Sequence, residues 1–232
     1  MTGELMDART INLWLAEAET EIHAQGDHLS ALDAALGDGD HGTNMRRGFA
    51  AVGAALAEQG EEIPPGQLLI LAGKTLISTM GGASGALWGL AVRRAGRSLG
   101  DGERFDGQAL ATALDAMVGA VVELGEADPG DKTMLDALLP AATALREGLD
   151  AGQLVRHAVA AAADAARVGA DATAQMQARK GRASFMAERS IGHQDPSANS
   201  VAIVLAALAH AVSRPGEGRA SARAPGSRRP ST

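Results

Sequence analysis

Apolar residues return at three- and four-residue intervals along almost the whole chain, and no segment alternates apolar and polar long enough to read as a strand. Ile11, Trp14, Leu15, Ala18 and Ile22 set the first such stripe. A chain patterned this way must bury helix faces against one another. Its composition fits that demand: 46% of residues are hydrophobic but only 2% are aromatic, so Ala, Leu, Val, Ile and Met build the core. Small side chains suit close helix packing better than a β-sandwich, which draws on β-branched and aromatic residues. With 232 residues the chain can form one well-buried domain and has no need of two.

Glycine and proline punctuate the pattern. After the first helix a second is expected from about Asn44 to Glu58, and a third from Pro65 to Ile77 behind the Pro64-Pro65 pair. Gly81-Gly82-Ala83-Ser84-Gly85 breaks the period before a helix through Leu87, Leu90 and Val92. Asp106 is placed to cap a helix reaching Leu124. Thr133 with Asp136 three residues on resembles a capping box for a helix to Arg146. A further helix spans Gln153 to Val168, and Asp195-Pro196 reads as N-cap and N1 of a last one through Leu208. The expected fold is all-α: one bundle or barrel of about eight antiparallel helices over residues 1–212. In an up-and-down arrangement, alternate turns share one end. That end gathers Gly37–Gly42, Gly81–Gly85, Asp128–Thr133 and the long polar segment Lys180–Pro196.

Net charge is −7, unevenly spread. Residues 213–232 carry five arginines against Glu217, a local +4 that leaves −11 on the body. Such a Pro/Gly/Ser/Arg tail offers no core and is expected to be a disordered extension; an anionic tether is the lesser reading. No nucleic acid partner is expected. Without cysteine there are no disulfides and no thiolate ligands. No basic leader precedes an apolar run, and the longest apolar stretch, Val201 to His210, falls short of a membrane span. A cytoplasmic protein without membrane contact is the expectation.

Function concentrates in one turn. Asp33, Asp38 and Asp40 lie in Asp33-Ala-Ala-Leu-Gly-Asp38-Gly-Asp40, with no lysine or arginine among them. One aspartate there is explained as a helix cap; three repel one another unless a cation sits between them. Carboxylates on a bending loop suit a hard ion, and Mg²⁺ characteristically shares its shell between carboxylates and a substrate phosphate. Gly42-Thr43-Asn44 then opens a helix, whose free N–H groups favour an anion. His41 can touch phosphate or simply brace the turn.

Other motifs fail on context. Gly37-Asp-Gly39-Asp-His-Gly42 matches G-x-G-x-x-G, but no strand precedes it. An EF-hand register starting at Asp38 puts Gly42 at position 5 and Phe49 at position 12. Gly73-Lys74-Thr75 lacks the earlier P-loop glycine, since Leu68 stands there. Arg182, in the polar segment, is either a phosphate clamp or a solvated side chain.

Taken together, LDAALGDGDHGTNM, STMGGASGALWG, GDKTMLDALLPA and KGRASFMAERSIGHQDP resemble the nucleotide-binding L subunits of dihydroxyacetone kinases and the matching domain of single-chain forms. The likeness spans most of residues 5–212. It implies an eight-helix barrel holding ADP or ATP and two Mg²⁺ at one end. By motif, Asp33, Asp38 and Asp40 correspond to the Mg²⁺ ligands, and His41, Gly42, Thr43 and Asn44 to phosphate-side contacts. Ala83, Ser84, Gly125, Thr133 and Met134 correspond to the nucleotide pocket, and Arg182 to a phosphate-clamping arginine that with His41 serves the transfer. Asp195, Pro196 and Ser197 correspond to the closing turn, where the family usually has glycine in place of Ser197.

The resemblance also implies partners. A separate K subunit holds dihydroxyacetone, and an M subunit of the phosphotransferase system rephosphorylates bound ADP in place. A homodimer is expected. The open alternatives are an ATP-exchanging kinase subunit for another short ketose, and a non-enzymatic ADP-sensing protein.

Overall fold

The computed structural model describes residues 4–59 and 63–214. Eight α-helices follow in order: α1 (Ala8–Ala35), α2 (His41–Ala57), α3 (Pro65–Thr79), α4 (Gly82–Leu99), α5 (Gly107–Gly125), α6 (Leu135–Asp150), α7 (Val155–Ala172) and α8 (Pro196–Ser213). Each packs on the next, and α8 returns against α1, so the helices close into a barrel. This is the all-α architecture that the periodicity demands. Among the described residues a small pair of strands, β1 (Met6–Asp7) with β2 (Arg104–Phe105), departs from it; at two residues each, neither could show a period.

Local chemistry explains the boundaries. Asp7 caps α1 by accepting from the Arg9 and Thr10 amides. Asp106 caps α5 through the Ala109 amide, and Asp195 caps α8 through the Ala198 amide. Before α6 the capping box forms in altered register. The Asp136 carboxylate accepts from the Thr133 amide at 2.8 Å, while the Thr133 hydroxyl accepts from the Leu135 amide. Within the long polar segment, Arg182–Ser190 is wound into short 3₁₀ turns kinked at Ala187.

Small residues let the helices meet closely. A Cβ on Gly42 would lie 1.8 Å from the Gly26 carbonyl oxygen of α1, and one on Gly73 would lie 2.5 Å from the Gly89 carbonyl oxygen of α4. Trp14, Phe49, Trp88 and Phe105 fill the interior, with Phe49 and Trp88 edge to face at 6.2 Å, while Phe185 is exposed. Trp14 donates its indole N–H to the Val204 carbonyl, tying α1 to α8. By length and composition α5 and α8 do reach the membrane-spanning range, contrary to the reading of uninterrupted runs. In the barrel α5 lies between α4 and α6, and α8 between α7 and α1, which accounts for their apolarity as core helices. The described chain runs one residue past α8; the remainder of the basic tail, 215–232, lies outside the described residues.

Candidate metal and nucleotide site

The turns α1–α2, α3–α4, α5–α6 and α7–α8 fall at one end of the barrel, and cross-contacts join them. Asp33, Asp38 and Asp40 each present a carboxylate oxygen within 4.8 Å of the others. Asp33 does more than contribute charge. Its Oδ2 accepts from the amides of Gly39 (2.8 Å), Asp40 (2.8 Å) and His41 (2.9 Å), which folds the turn over the end of α1 and satisfies the start of α2. The carboxylate of Asp40 makes no capping bond, so α2 begins at His41 under the control of Asp33, three residues before the expected Asn44. Asp33 Oδ1 and the carboxylate of Asp40 remain as hard oxygen donors, which with Asp38 fit a divalent cation such as Mg²⁺.

Arg182 crosses from the α7–α8 connection to donate to Asp38 Oδ1, so the arginine of the polar segment reaches the acidic turn. His41 is buried and braced on both sides. Its Nε2 is 3.1 Å from the Ser200 hydroxyl of α8, and its Nδ1 is 3.4 Å from the Ser84 hydroxyl of α4. Asn44, also buried, gives its amide oxygen to Arg47, which leaves its NH₂ group as a donor. Gly42 is held by its contact with α1, while Thr43 is exposed. Ala83 is exposed at the start of α4. Gly125 ends α5 near Leu87 of α4. Thr133 and the buried Met134 lead into α6. Asp195 and Pro196 are buried at the start of α8. Ser197 has no left-handed backbone and its carbonyl accepts from Ser200, so serine is accommodated there without strain.

Two polar residues escaped the sequence reading, Ser200 and Lys132, and a third, Asp136, does more than it was read to do. Ser200 is hidden as an interior residue of α8, although it stands one turn after Ser197. Asp136 was read as a cap, yet it also accepts from the Gly130 amide at 2.5 Å and so shapes the whole 128–136 turn. Lys132 is 2% exposed, with its ammonium group among main-chain carbonyls of the α7–α8 connection. The available signal was a lone lysine in an acidic turn that runs straight into a buried helix.

Two buried groups here titrate in opposing senses. Burial pushes the Asp195 carboxyl up to about 7, with Asp136 adding to the rise and the Ala198 amide and Lys132 opposing it. Burial holds His41 below its ordinary value, against the pull of Asp33 and Asp40. Because the native state keeps the Asp195 proton longer than the unfolded chain, this residue's contribution to stability falls as pH rises from about 4 to 7. For His41 the native state binds the proton less readily, so stability is lost as pH falls below 6.5. Asp195→Asn removes only the first effect. The melting temperature of this variant relative to wild type should rise between pH 5 and pH 8, by on the order of 5 °C. Thermal melts at the two pH values check this, and an unchanged difference would contradict it.

Similarity to known proteins agrees with this geometry. The chain is 39% identical over 196 residues to the ADP-binding subunit of the phosphoenolpyruvate-dependent dihydroxyacetone kinase of Escherichia coli, covering 84% of this chain and 93% of that one. It is 41% identical over 189 residues to an L-erythrulose 1-kinase of Mycolicibacterium smegmatis, covering 80% of this chain and 32% of that longer protein. Among solved structures, the dihydroxyacetone kinase of C. freundii in complex with AMP-PNP and Mg²⁺ superposes with a TM-score of 0.64 at 31% identity, over 90% of this chain and 35% of that one. The DAK2 domain model matches residues 35–210. With an acidic turn, a bracing histidine and an arginine meeting at one end of an eight-helix barrel, the chain belongs to the DAK2 domain family, alongside the ADP-binding subunits of dihydroxyacetone kinases.

Proposed function

We propose that this chain is the nucleotide-binding subunit of a phosphoenolpyruvate-dependent dihydroxyacetone kinase, acting in the cytoplasm as part of glycerol metabolism. It holds ADP/ATP and two Mg²⁺ at the acidic end of the barrel. The γ-phosphoryl group passes to dihydroxyacetone carried on a separate K subunit, and an M subunit of the phosphotransferase system restores ATP in place. The observation that carries this reading is the convergence of three carboxylate oxygens within 4.8 Å, with Arg182 on one of them, at the start of α2.

In this reading Asp33 (through Oδ1), Asp38 and Asp40 hold the metal ions, which when bound neutralise phosphate charge and align the phosphoryl group for in-line transfer. The amides of Gly42 and Thr43 at the start of α2 face the phosphates, those of His41 and Asn44 being held by Asp33 and the Asp40 carbonyl, and the Asn44 NH₂ group is free to donate. His41 stays neutral and fixed by Ser84 and Ser200, so it holds the turn's geometry and adds no competing cation. Ala83, Ser84, Gly125, Thr133 and Met134 line the nucleotide, and Asp195-Pro196-Ser197 close over it. Arg182 exchanges its carboxylate for the moving phosphoryl group, whose bond to ADP breaks as one to the ketose hydroxyl forms. The hydroxyl proton leaves to a base on the K subunit. We take the protein to work as a homodimer, with residues 1–212 as the phosphotransfer domain and the basic residues 213–232 as an appendage outside it.

The 41% identity to an L-erythrulose 1-kinase supports a second reading, an ATP-exchanging domain for a four-carbon ketose. Mass analysis of the natively purified protein separates the two. Near-stoichiometric ADP surviving gel filtration is expected of a retained cofactor. Protein free of nucleotide, active with ATP alone on erythrulose, would favour the second.

A further inference from the structure

Lys132 sits in the α5–α6 turn with a left-handed backbone (φ +62°) and is 2% exposed. Its Nζ donates to the carbonyls of Thr173 (3.0 Å), Met176 (3.1 Å), Ser190 (2.6 Å) and His193. Four carbonyl acceptors around Nζ suit an ammonium, which has three N–H donors and no lone pair; burial lowers the Lys132 pKa from its ordinary value, with Asp195 opposing the shift. The arrangement resembles a carbonyl cage around a monovalent cation, with the ion tethered by its own side chain.

The four carbonyls come from both strands of the connection between α7 and α8. Thr173 and Met176 stand where the chain leaves α7; Ser190 and His193 stand where it returns to α8. Gly192 N–H donates to Ala174 O, Ala178 N–H to Ser190 Oγ and Asp195 N–H to Thr173 Oγ1 across the same neck. The Arg179 amide donates to Asp131 O, joining the loop to the residue beside Lys132. Beyond the neck lies a largely exposed stretch bearing Arg182. Within that stretch the contact recorded across to the acidic turn is the one between Arg182 and Asp38.

We propose that Lys132 is the positioning residue for Arg182: as a built-in monovalent cation it closes the neck of the 176–193 loop and so sets the reach of the arginine at its tip. This rests on the reading of Arg182 as a phosphate clamp. Lys132 itself stays away from the phosphates, committed to carbonyls. Arginine cannot replace it, because a planar guanidinium does not fit a cage shaped for a compact ammonium.

Three measurements on the full chain test this. In Lys132→Met, which keeps the stem and loses the charge, amide exchange at Ala178, Gly192 and Asp195 should quicken about tenfold or more, with α1 to α4 unchanged; charge-assisted bonds of this kind are worth at least that factor. Unchanged exchange would overturn the cage. ADP release from Lys132→Met should quicken about tenfold, and adding Arg182→Ala should bring little further change, since both act through one contact. Turnover at saturating K subunit should fall without change in the half-saturating K concentration. Additive effects on release would overturn the link to Arg182.

Lys132→Gly, which suits the positive φ, empties the stem channel. Adding n-butylammonium, which matches the missing side chain atom for atom, should restore the exchange protection, whereas n-butanol should not. Failure of this rescue overturns the proposal even if Lys132→Met does not fold. The exchange arm needs no nucleotide, so failure of the cage is distinguishable from failure of the nucleotide reading.

Discussion

Replacing Asp40 by alanine should lower Mg²⁺-dependent ADP affinity by about 100-fold or more, since losing even an outer partner of a metal ligand costs 10- to 100-fold. The fold should survive. Asp40 makes no ion pair among the described residues, and the amides of the turn are satisfied by Asp33, so alanine leaves the start of α2 intact. Removing one of three mutually repelling carboxylates should leave the metal-free protein at least as stable as wild type. Asp38→Ala should cause the same loss of affinity and also release Arg182. Asp33→Ala differs in kind, because it strips three amides of their acceptor and should lower stability as well as binding. Calorimetric titration of ADP with and without Mg²⁺, beside thermal melts, checks the series. Wild-type affinity in Asp40→Ala would remove the acidic turn from the metal site.

The series shows what could be read directly from the residues. Helix order and the barrel's working end were legible because apolar period and turn glycines are local signals, and eight sequential helices have few ways to close. Asp38 and Asp40 were legible because adjacent like charges demand a reason. The start of α2 was misplaced because its amides are satisfied by Asp33, seven and eight residues away across a turn and therefore outside the usual capping interval. Gly42 was read for phosphate contact alone, yet its closest neighbour is the Gly26 carbonyl, a packing constraint visible only once α1 and α2 cross. Lys132 and Ser200 were missed for the same reason. The partners of Lys132 are 41 to 61 residues distant, and the Ser200 hydroxyl meets a histidine 159 residues away. Periodicity reports which face is buried; it is silent on which buried polar group meets which.

Arg182→Ala should convert a retained cofactor into an exchanging one. In the proposed reading a nucleotide would be held by the Asp33, Asp38 and Asp40 metal site, helix starts and the Arg182 loop, and would leave only when these contacts break together, so wild-type release should be slow. With K subunit, phosphorylated M subunit and dihydroxyacetone supplied, labelled ADP should remain on the protein through many turnovers. The side chain of Arg182 is 72% exposed, and among the described residues its guanidinium is anchored by Asp38 alone, so its loss should leave the melting temperature within about a degree of wild type. Under the proposed phosphate-clamp role, its loss should quicken ADP release about tenfold or more. Transfer should fall further if, in the proposed role, the arginine also stabilises charge that grows on the moving phosphoryl group. Release followed by labelled ADP in a gel-filtration chase, and single-turnover transfer to dihydroxyacetone, measure the two effects separately. If wild-type protein instead trades its ADP for free ATP in every cycle and free ATP sustains full turnover, the chain is an ATP-dependent kinase domain of the erythrulose-kinase kind. Arg182 would then remain a transfer residue, but the phosphotransferase-system partner would drop out of the reaction.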